Sequence, residues 1–560
     1  MRRFKLRVQN SSLTGRVARY LGLIATVLCV YFVFVSGGRR IGGFEEEFTG
    51  PVPEIAPSVG KSVSTSRFYD QVLVHFDLKG AAPTVTFFKD LLTSIAANGA
   101  TGILIEYEDV FPYNGKLRSA VNEEAYSLDQ LREILSYAKS LKLSIVPLIQ
   151  SFGHLEWVLK LAEFRSFRDH DTNNGVICIE NEQAIRDVVY SSISEVIKLH
   201  KEFGVEMVHI GGDEAFDYGK CVKSGPREVA AAKHLKSVAN FVRSLTSPSV
   251  RILAWNDMIM QFPRGDPKTQ SLLRAVELVV WDYGDLARFQ RYFWAQYTEK
   301  DQLPIWGASA FKGADGAAQL YVDYEKRFRN NQIWANVKQN QIPANKFGGL
   351  ILTGWQRYDH FSTFCEILPM AVPSIILNLQ VAQGIQTDEV FAKTANSLKC
   401  PMKSPKNLAN FEAIVGNCAF SGSRFYTMMT RTWPGIQSEW DNFIISHEMT
   451  GWLRPYNRHY DFSNRIYLQA LMPNLIQLHG RIEGFAKSLR DELRKLLIGS
   501  AADEFIFNTI SPTLKQAKAL LNAANRMSEK RVFAKRAFHF DDVINGGSDS
   551  DANGCFCYSN

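Results

Sequence analysis

Eight short apolar runs between residues 71 and 353, separated by amphipathic segments, predict an α/β fold of the (β/α)8 barrel type. Two further observations support this. The runs are almost continuously apolar, as strands covered on both faces are. No Gly-rich phosphate loop follows the first run, where Asp77-Leu78-Lys79-Gly80 stands instead, and this counts against a doubly wound open sheet.

The chain begins with a basic segment (residues 1–19) that reads as a cytosolic tail. Residues 20–38, YLGLIATVLCVYFVFVSGG, carry no charge, and about 20 apolar residues span a bilayer as a helix. Six positive charges precede this run and only Arg39 and Arg40 follow it, so a signal anchor with residues 41–560 on the lumenal side is expected. A cleaved signal peptide is the rival reading. Residues 39–69 are rich in Gly, Pro, Ser and Glu and read as a stem.

The strands follow in order: Gln71–Phe76, Gly102–Tyr107, Leu143–Ile149, Glu206–Gly211, Val250–Trp255, Glu277–Trp281, Pro304–Ala308 and Gly349–Thr353. Between them, helical spacing marks Val85–Ala97, Leu128–Leu141, Ala184–Phe203 and Val229–Leu245. The barrel is expected over 70–385. Residues 386–545 lack strand signals and read as a mainly helical region that packs on the barrel or offers a surface to a second copy in a homodimer. Residues 546–560 read as a disordered tail.

Charge excludes one class of partner. Eight of the 64 basic residues lie in the first 43, which hold no acidic one, so the rest carries 56 basic against 57 acidic residues. The net +7 belongs to the N-terminus, and no nucleic-acid partner is expected. Of the eight cysteines, seven lie on the predicted lumenal side and permit disulfides; none has zinc-cage spacing.

In such a barrel the active site lies at the C-terminal ends of the strands. Those ends carry Asp77 and Lys79; Glu106, Glu108 and Asp109; Gln150 and His154; Asp213 and Glu214; Trp255, Asn256 and Asp257; Trp281, Asp282 and Tyr283; Trp306 and Lys312; and Trp355, Arg357 and Asp359. Carboxylates with tryptophans suggest a carbohydrate ligand. No H-x-H pair or H-E-x-x-H helix marks a metal site, and no metal or cofactor is expected.

The stretch HIGGDEAF (209–216) puts Asp213 and Glu214 side by side. Two carboxyls that flank a glycosidic bond stand about 5–5.5 Å apart in retaining enzymes and about 6.5–9.5 Å apart in inverting ones. Neighbours on a strand point to opposite faces, so the two are expected to diverge. Such a pair suits a reaction in which the substrate brings its own nucleophile, as the carbonyl oxygen of a 2-acetamido sugar can. The plainer reading is that both acids cap the next helix.

Together with HFDLKGAAP (75–83), LIEYEDVFPY (104–113) and PLIQSFGHLEWVLK (147–160), HIGGDEAF resembles the glycoside hydrolase family 20 β-N-acetylhexosaminidases over residues 70–365. The resemblance implies that Glu214 is the general acid/base and that Asp213 orients the acetamide. It implies that His154 supports the acid through a strand-2 carboxylate, with Glu108 the leading candidate and Glu106 and Asp109 also open. Trp255, Trp281, Trp355 and Tyr283 are placed at the acetamide pocket. The family arginine for the sugar hydroxyls has no counterpart at the first strand, where Lys79 or Arg357 takes its place.

The expected function is therefore exo-hydrolysis of terminal β-linked GlcNAc or GalNAc from glycans, with retention and without a cofactor. The expected location is the Golgi lumen, by analogy with anchored glycan-processing enzymes. The alternatives are a non-catalytic glycan-binding barrel and a metal-dependent barrel hydrolase.

Overall fold

The computed structural model describes residues 67–536 apart from 287, 288, 290, 300 and 386. The expected cytosolic tail, membrane anchor, most of the stem and the C-terminal tail lie outside the described residues. Among the described residues no helix is long and apolar enough to cross a membrane.

Eight strands form a closed barrel in sequence order: β1 Val72–Asp77, β2 Gly102–Glu106, β3 Ser144–Leu148, β4 Met207–His209, β5 Arg251–Trp255, β6 Glu277–Trp281, β7 Ile305–Lys312 and β8 Phe347–Gly354. Every neighbour pair is parallel, and β8 closes on β1 through Val72 opposite Leu350. The helices outside it include α1 Val85–Ala97, α2 Leu128–Ser140, α3 Ser191–His200, α4 Arg227–Leu245, α5 Pro267–Leu273, α6 Arg291–Tyr297, α7 Tyr324–Asn340 and α8 Leu368–Ala382.

Local chemistry explains their starts. Thr84 caps α1 by accepting the Phe87 N–H, and Ser127 with Gln130 forms a reciprocal capping box on α2. Along each strand, alternate side chains divide between two cores. Leu73, Leu104, Val146, Leu148, Met207, Leu253, Val279 and Ile351 fill the barrel with Trp255 and Trp306, while Val74, Phe76, Ile103 and Ile105 face the helices. Burying each such side chain contributes roughly 1.5–3 kcal/mol.

Three elements differ from the sequence reading. β4 stops at His209, because Gly211 and Gly212 turn left-handed with φ of 66° and 91°. β7 runs on to Lys312, whose charged side chain hides a strand that is buried throughout. The expected helix Ala184–Phe203 contains a π-helical turn at Ile185–Tyr190. In addition, Phe68 and Tyr69, assigned to the stem, already belong to the body, where Tyr69 is fully buried against Phe347.

Beyond the barrel lie α9 Thr387–Ser397, α10 Leu408–Val415, α11 Trp433–Ile444, α12 Arg465–Leu493, α13 Gly499–Thr509 and α14 Ser511–Glu529, with shorter helices between them. This region packs on the barrel. The segment after α12 is stitched to the β1–α1 loop: Thr84 N–H donates to Leu496 O at 2.8 Å, and Ile498 N–H donates to Ala82 O at 2.9 Å.

Candidate active site

The inner side chains become polar toward the C-terminal ends of the strands. His75 Nε2 lies 3.1 Å from Glu106 Oε2, and Gln150 Nε2 donates to Glu106 Oε1 at 3.0 Å. Burial would raise the Glu106 pKa, but Lys79, His75 and Gln150 together hold it well below the usual carboxylate range. This charged layer is the floor of the site.

Close backbone approach assembles the next layer. A β-carbon on Gly211 would lie 2.0 Å from Gln150 Oε1, and one on Gly153 would lie 2.3 Å from the Asp213 carbonyl oxygen. Only glycines let the β3 and β4 loops press together at these points. The contact carries His154 onto the acidic pair, with Nε2 at 3.4 Å from both Asp213 Oδ2 and Glu214 Oε2. Burial alone would lower the His154 pKa; Asp213 and Glu214 outweigh it and raise it well above its ordinary value.

Two expectations about the pair are corrected. The carboxylates do not diverge: they lie beyond β4, outside the strand alternation, and Glu214 is left-handed with φ of 42°, so both converge on one imidazole nitrogen. Nor do they cap a helix, because α4 starts at Arg227 behind Pro226. Asp213 is buried, and its Oδ1 has no hydrogen-bond partner among the described residues; the Glu214 side chain is 37% exposed.

A cavity of about 230 Å3 opens here, lined by Lys79, His154, Asp213, Glu214, Trp281, Tyr283, Gly313, Ala314, Trp355, Arg357 and Tyr358. Trp355 Nε1 donates to Tyr283 Oη at 2.8 Å, and the Trp281 and Tyr283 rings stack with centroids 5.4 Å apart. Trp281, Tyr283 and Trp355 thus line one cavity together. Trp255 does not line it: it is fully buried in the barrel core between His209 and Trp355, with ring centroids at 4.4 and 5.8 Å. Its position at the end of β5 points it inward under Trp355.

Glu108 lies beside the site with different partners from those expected. Its carboxylate is 3.0 Å from Lys79 Nζ and 2.6 Å from His360 Nε2, while His154 meets the acidic pair directly. His360 reaches it from the loop after β8, a contact between residues 252 apart that no local pattern announces. Both candidates for a hydroxyl-binding cation are in the cavity wall. Lys79 is buried against Asp77 and Glu108. Arg357 is held by Glu504 of α13 through two bonds of 3.1 and 3.0 Å.

Sequence reasoning named Asp257 at a strand end and gave it no role. In the structure its Oδ2 accepts the Glu214 N–H at 2.9 Å, and its Oδ1 accepts the Trp281 indole N–H at 3.3 Å. Burial, with Asp213 close by, pushes its pKa up to about 7. The Trp-Asn-Asp run after β5 was the available signal. Tyr358, Gly313 and Ala314 had none, since the last two contribute backbone and no reactive group.

Comparison with known proteins points to one family. Residues 100–289 match the glycosyl hydrolase family 20 catalytic domain. The chain is 32% identical over 479 residues to hexosaminidase D of Homo sapiens, covering 83% of this chain and 96% of that one. It is 36% identical over 337 residues to hexosaminidase D of Bos taurus, covering 58% and 96%. A solved mutant β-hexosaminidase of Streptomyces plicatus in complex with its product GlcNAc is a distant likeness, with a TM-score of 0.41 and 16% identity over 62% of this chain and 69% of that one.

Proposed function

The chain belongs to glycosyl hydrolase family 20, and from that premise we propose that it removes terminal β-linked GlcNAc or GalNAc residues from glycans by a substrate-assisted, retaining mechanism. It is a glycoside hydrolase of the β-hexosaminidase kind. The observation that carries the finer reading is Asp213, a residue of the cavity wall whose buried Oδ1 has no partner among the described residues, next to Glu214. A buried carboxylate oxygen in that state is ready for a donor, and the N–H of a 2-acetamido group is one.

In the first step Glu214, protonated, gives its proton to the glycosidic oxygen. The bond from C1 to that oxygen breaks while the acetamide carbonyl oxygen bonds to C1 from the opposite face. Asp213 accepts the acetamide N–H and offsets the positive charge of the oxazolinium formed. In the second step Glu214 takes a proton from water, which attacks C1 as the bond from C1 to the acetamide oxygen breaks, and the sugar leaves with retained configuration and its acetamide restored. Trp281, Tyr283 and Trp355 wall the acetamide; Lys79 or Arg357 meets the sugar hydroxyls. The cavity is smaller than the ~300–1,000 Å3 of sites for drug-sized ligands, which suits one terminal ring and an exo mode of attack.

The test is a contrast between two variants. Glu214→Gln should lower kcat/KM by about 10²–10⁴ on unactivated glycans and by much less on aryl glycosides with good leaving groups. Asp213→Asn should lose activity on both, because it disables formation of the intermediate. Wild-type turnover of an unactivated glycan by Glu214→Gln would sink the mechanism.

We further propose that this barrel is the lumenal part of a single-pass type II membrane protein of the Golgi. Residues 20–38 and their charge asymmetry support the anchor. The disulfides Cys178–Cys221 and Cys400–Cys418 support an oxidising compartment.

A further inference from the structure

Asp257 follows β5 in the first turn of the four-residue helix Asn256–Ile259, yet its carboxylate bonds no N–H of that helix. Both its oxygens are committed to other elements. Oδ2 accepts from the backbone of Glu214, the residue whose φ of 42° lies in a region that side chains with a β-carbon rarely adopt. Oδ1 accepts from the Trp281 indole, and the neighbouring Asn256 Oδ1 accepts the Trp281 backbone N–H at 3.3 Å.

We propose that Asp257 is a positioning residue for the reaction: it holds the Glu214 backbone in its left-handed turn and the Trp281 indole in the cavity wall at once, so one carboxylate sets both the aim of the proton donor and the face the sugar meets. Two hydrogen bonds to one short side chain tie the strained main chain to the cavity wall. Asp257 is half-buried, with Asp213 close by.

The inference rests on Glu214 being the proton donor, and the experiment separates the two ideas. In the first step, which kcat/KM reports, aim matters only where the leaving group needs a proton. Asp257→Asn keeps one acceptor oxygen and turns an N–H toward the other donor. Its kcat/KM on a β-linked GlcNAc disaccharide should fall about 100-fold, and its kcat/KM on the dinitrophenyl β-glycoside of GlcNAc should fall by no more than about threefold, with the thermal midpoint monitored alongside. Trp281→Phe removes the indole donor and part of the ring face; it should raise KM and leave the ratio of the two activities as in the wild type. An Asp257→Asn enzyme with the wild-type ratio, whether both activities are kept or both fall together, overturns the proposal while leaving the role of Glu214 intact. If Asp257→Asn does not fold, Asp257→Glu, which keeps both acceptor oxygens on a longer arm, takes its place: a selective fall on the disaccharide supports the proposal, and an unchanged ratio overturns it. Wild-type protein inactive on both substrates would remove the reading of Glu214, and this one with it.

Discussion

Glu108, His154 and Glu214 each hold a left-handed backbone, with φ of 46°, 51° and 42°, and all three stand at the site. Such residues cost about 1–3 kcal/mol apiece and persist only where their surroundings over-determine them. The surroundings here are visible: Asp257 on the Glu214 N–H, Lys79 and His360 on Glu108, and Gly153 beside His154. Gly153 shows how little room the arrangement has. In Gly153→Ala the new β-carbon would meet the Asp213 carbonyl, a backbone atom that cannot swing aside, at 2.3 Å. kcat/KM should drop at least about 100-fold, with a lower thermal midpoint. Gly435→Ala, where a β-carbon meets open space in helix α11, should retain full activity and gain up to about 1 kcal/mol. Full activity in Gly153→Ala would mean that the β3–β4 contact does not set the site. Asp213, Glu214 and His154 were legible as residue types in short motifs. The strain that makes the acids converge was not, because φ is decided by contacts with other loops.

At the scale of elements, apolar runs bounded by polar loops announced all eight strands, and 3.6-residue spacing announced α1, α2 and α4 within a residue or two. The failures had physical causes: two glycines cut β4 short, and a buried lysine disguised the end of β7. The C-terminal helices were legible as helices but not in their place. α13 lies against the loop after β8, where Glu504 grips Arg357 of the cavity wall, and Asn508 Nδ2 donates to Thr363 Oγ1 at 3.2 Å. This region is therefore a support for the catalytic face. Glu504→Gln should raise KM for p-nitrophenyl β-GlcNAc roughly 3- to 10-fold, the loss of about 1 kcal/mol of charged hydrogen bonding, with kcat little changed. The thermal midpoint should barely move, since Glu504 is one-third exposed and such pairs contribute little to stability. An unchanged KM would show that α13 packs on the barrel without shaping the pocket.

For the whole molecule, the proposed membrane-anchored arrangement makes a prediction about sidedness. In sealed microsomes the barrel should survive added protease and lose only the few residues of the cytosolic tail; digestion of the barrel without detergent would refute a lumenal site. The Cys178–Cys221 bridge, which closes a loop across 43 positions, should then be found oxidised in protein taken from cells. The sequence by itself determined the barrel, the order of its elements and the chemistry available at its rim, because hydrophobic periodicity and paired acidic motifs are local properties. Only the tertiary structure decided which groups meet. It brought Asp213 and Glu214 together on His154, buried Trp255 under Trp355, gave Glu108 to Lys79 and His360, and set Asp257 behind the acid. Each of those outcomes depends on side chains from different strands arriving at one end of a closed barrel, and the distance between them is a property of closure that no stretch of the chain contains.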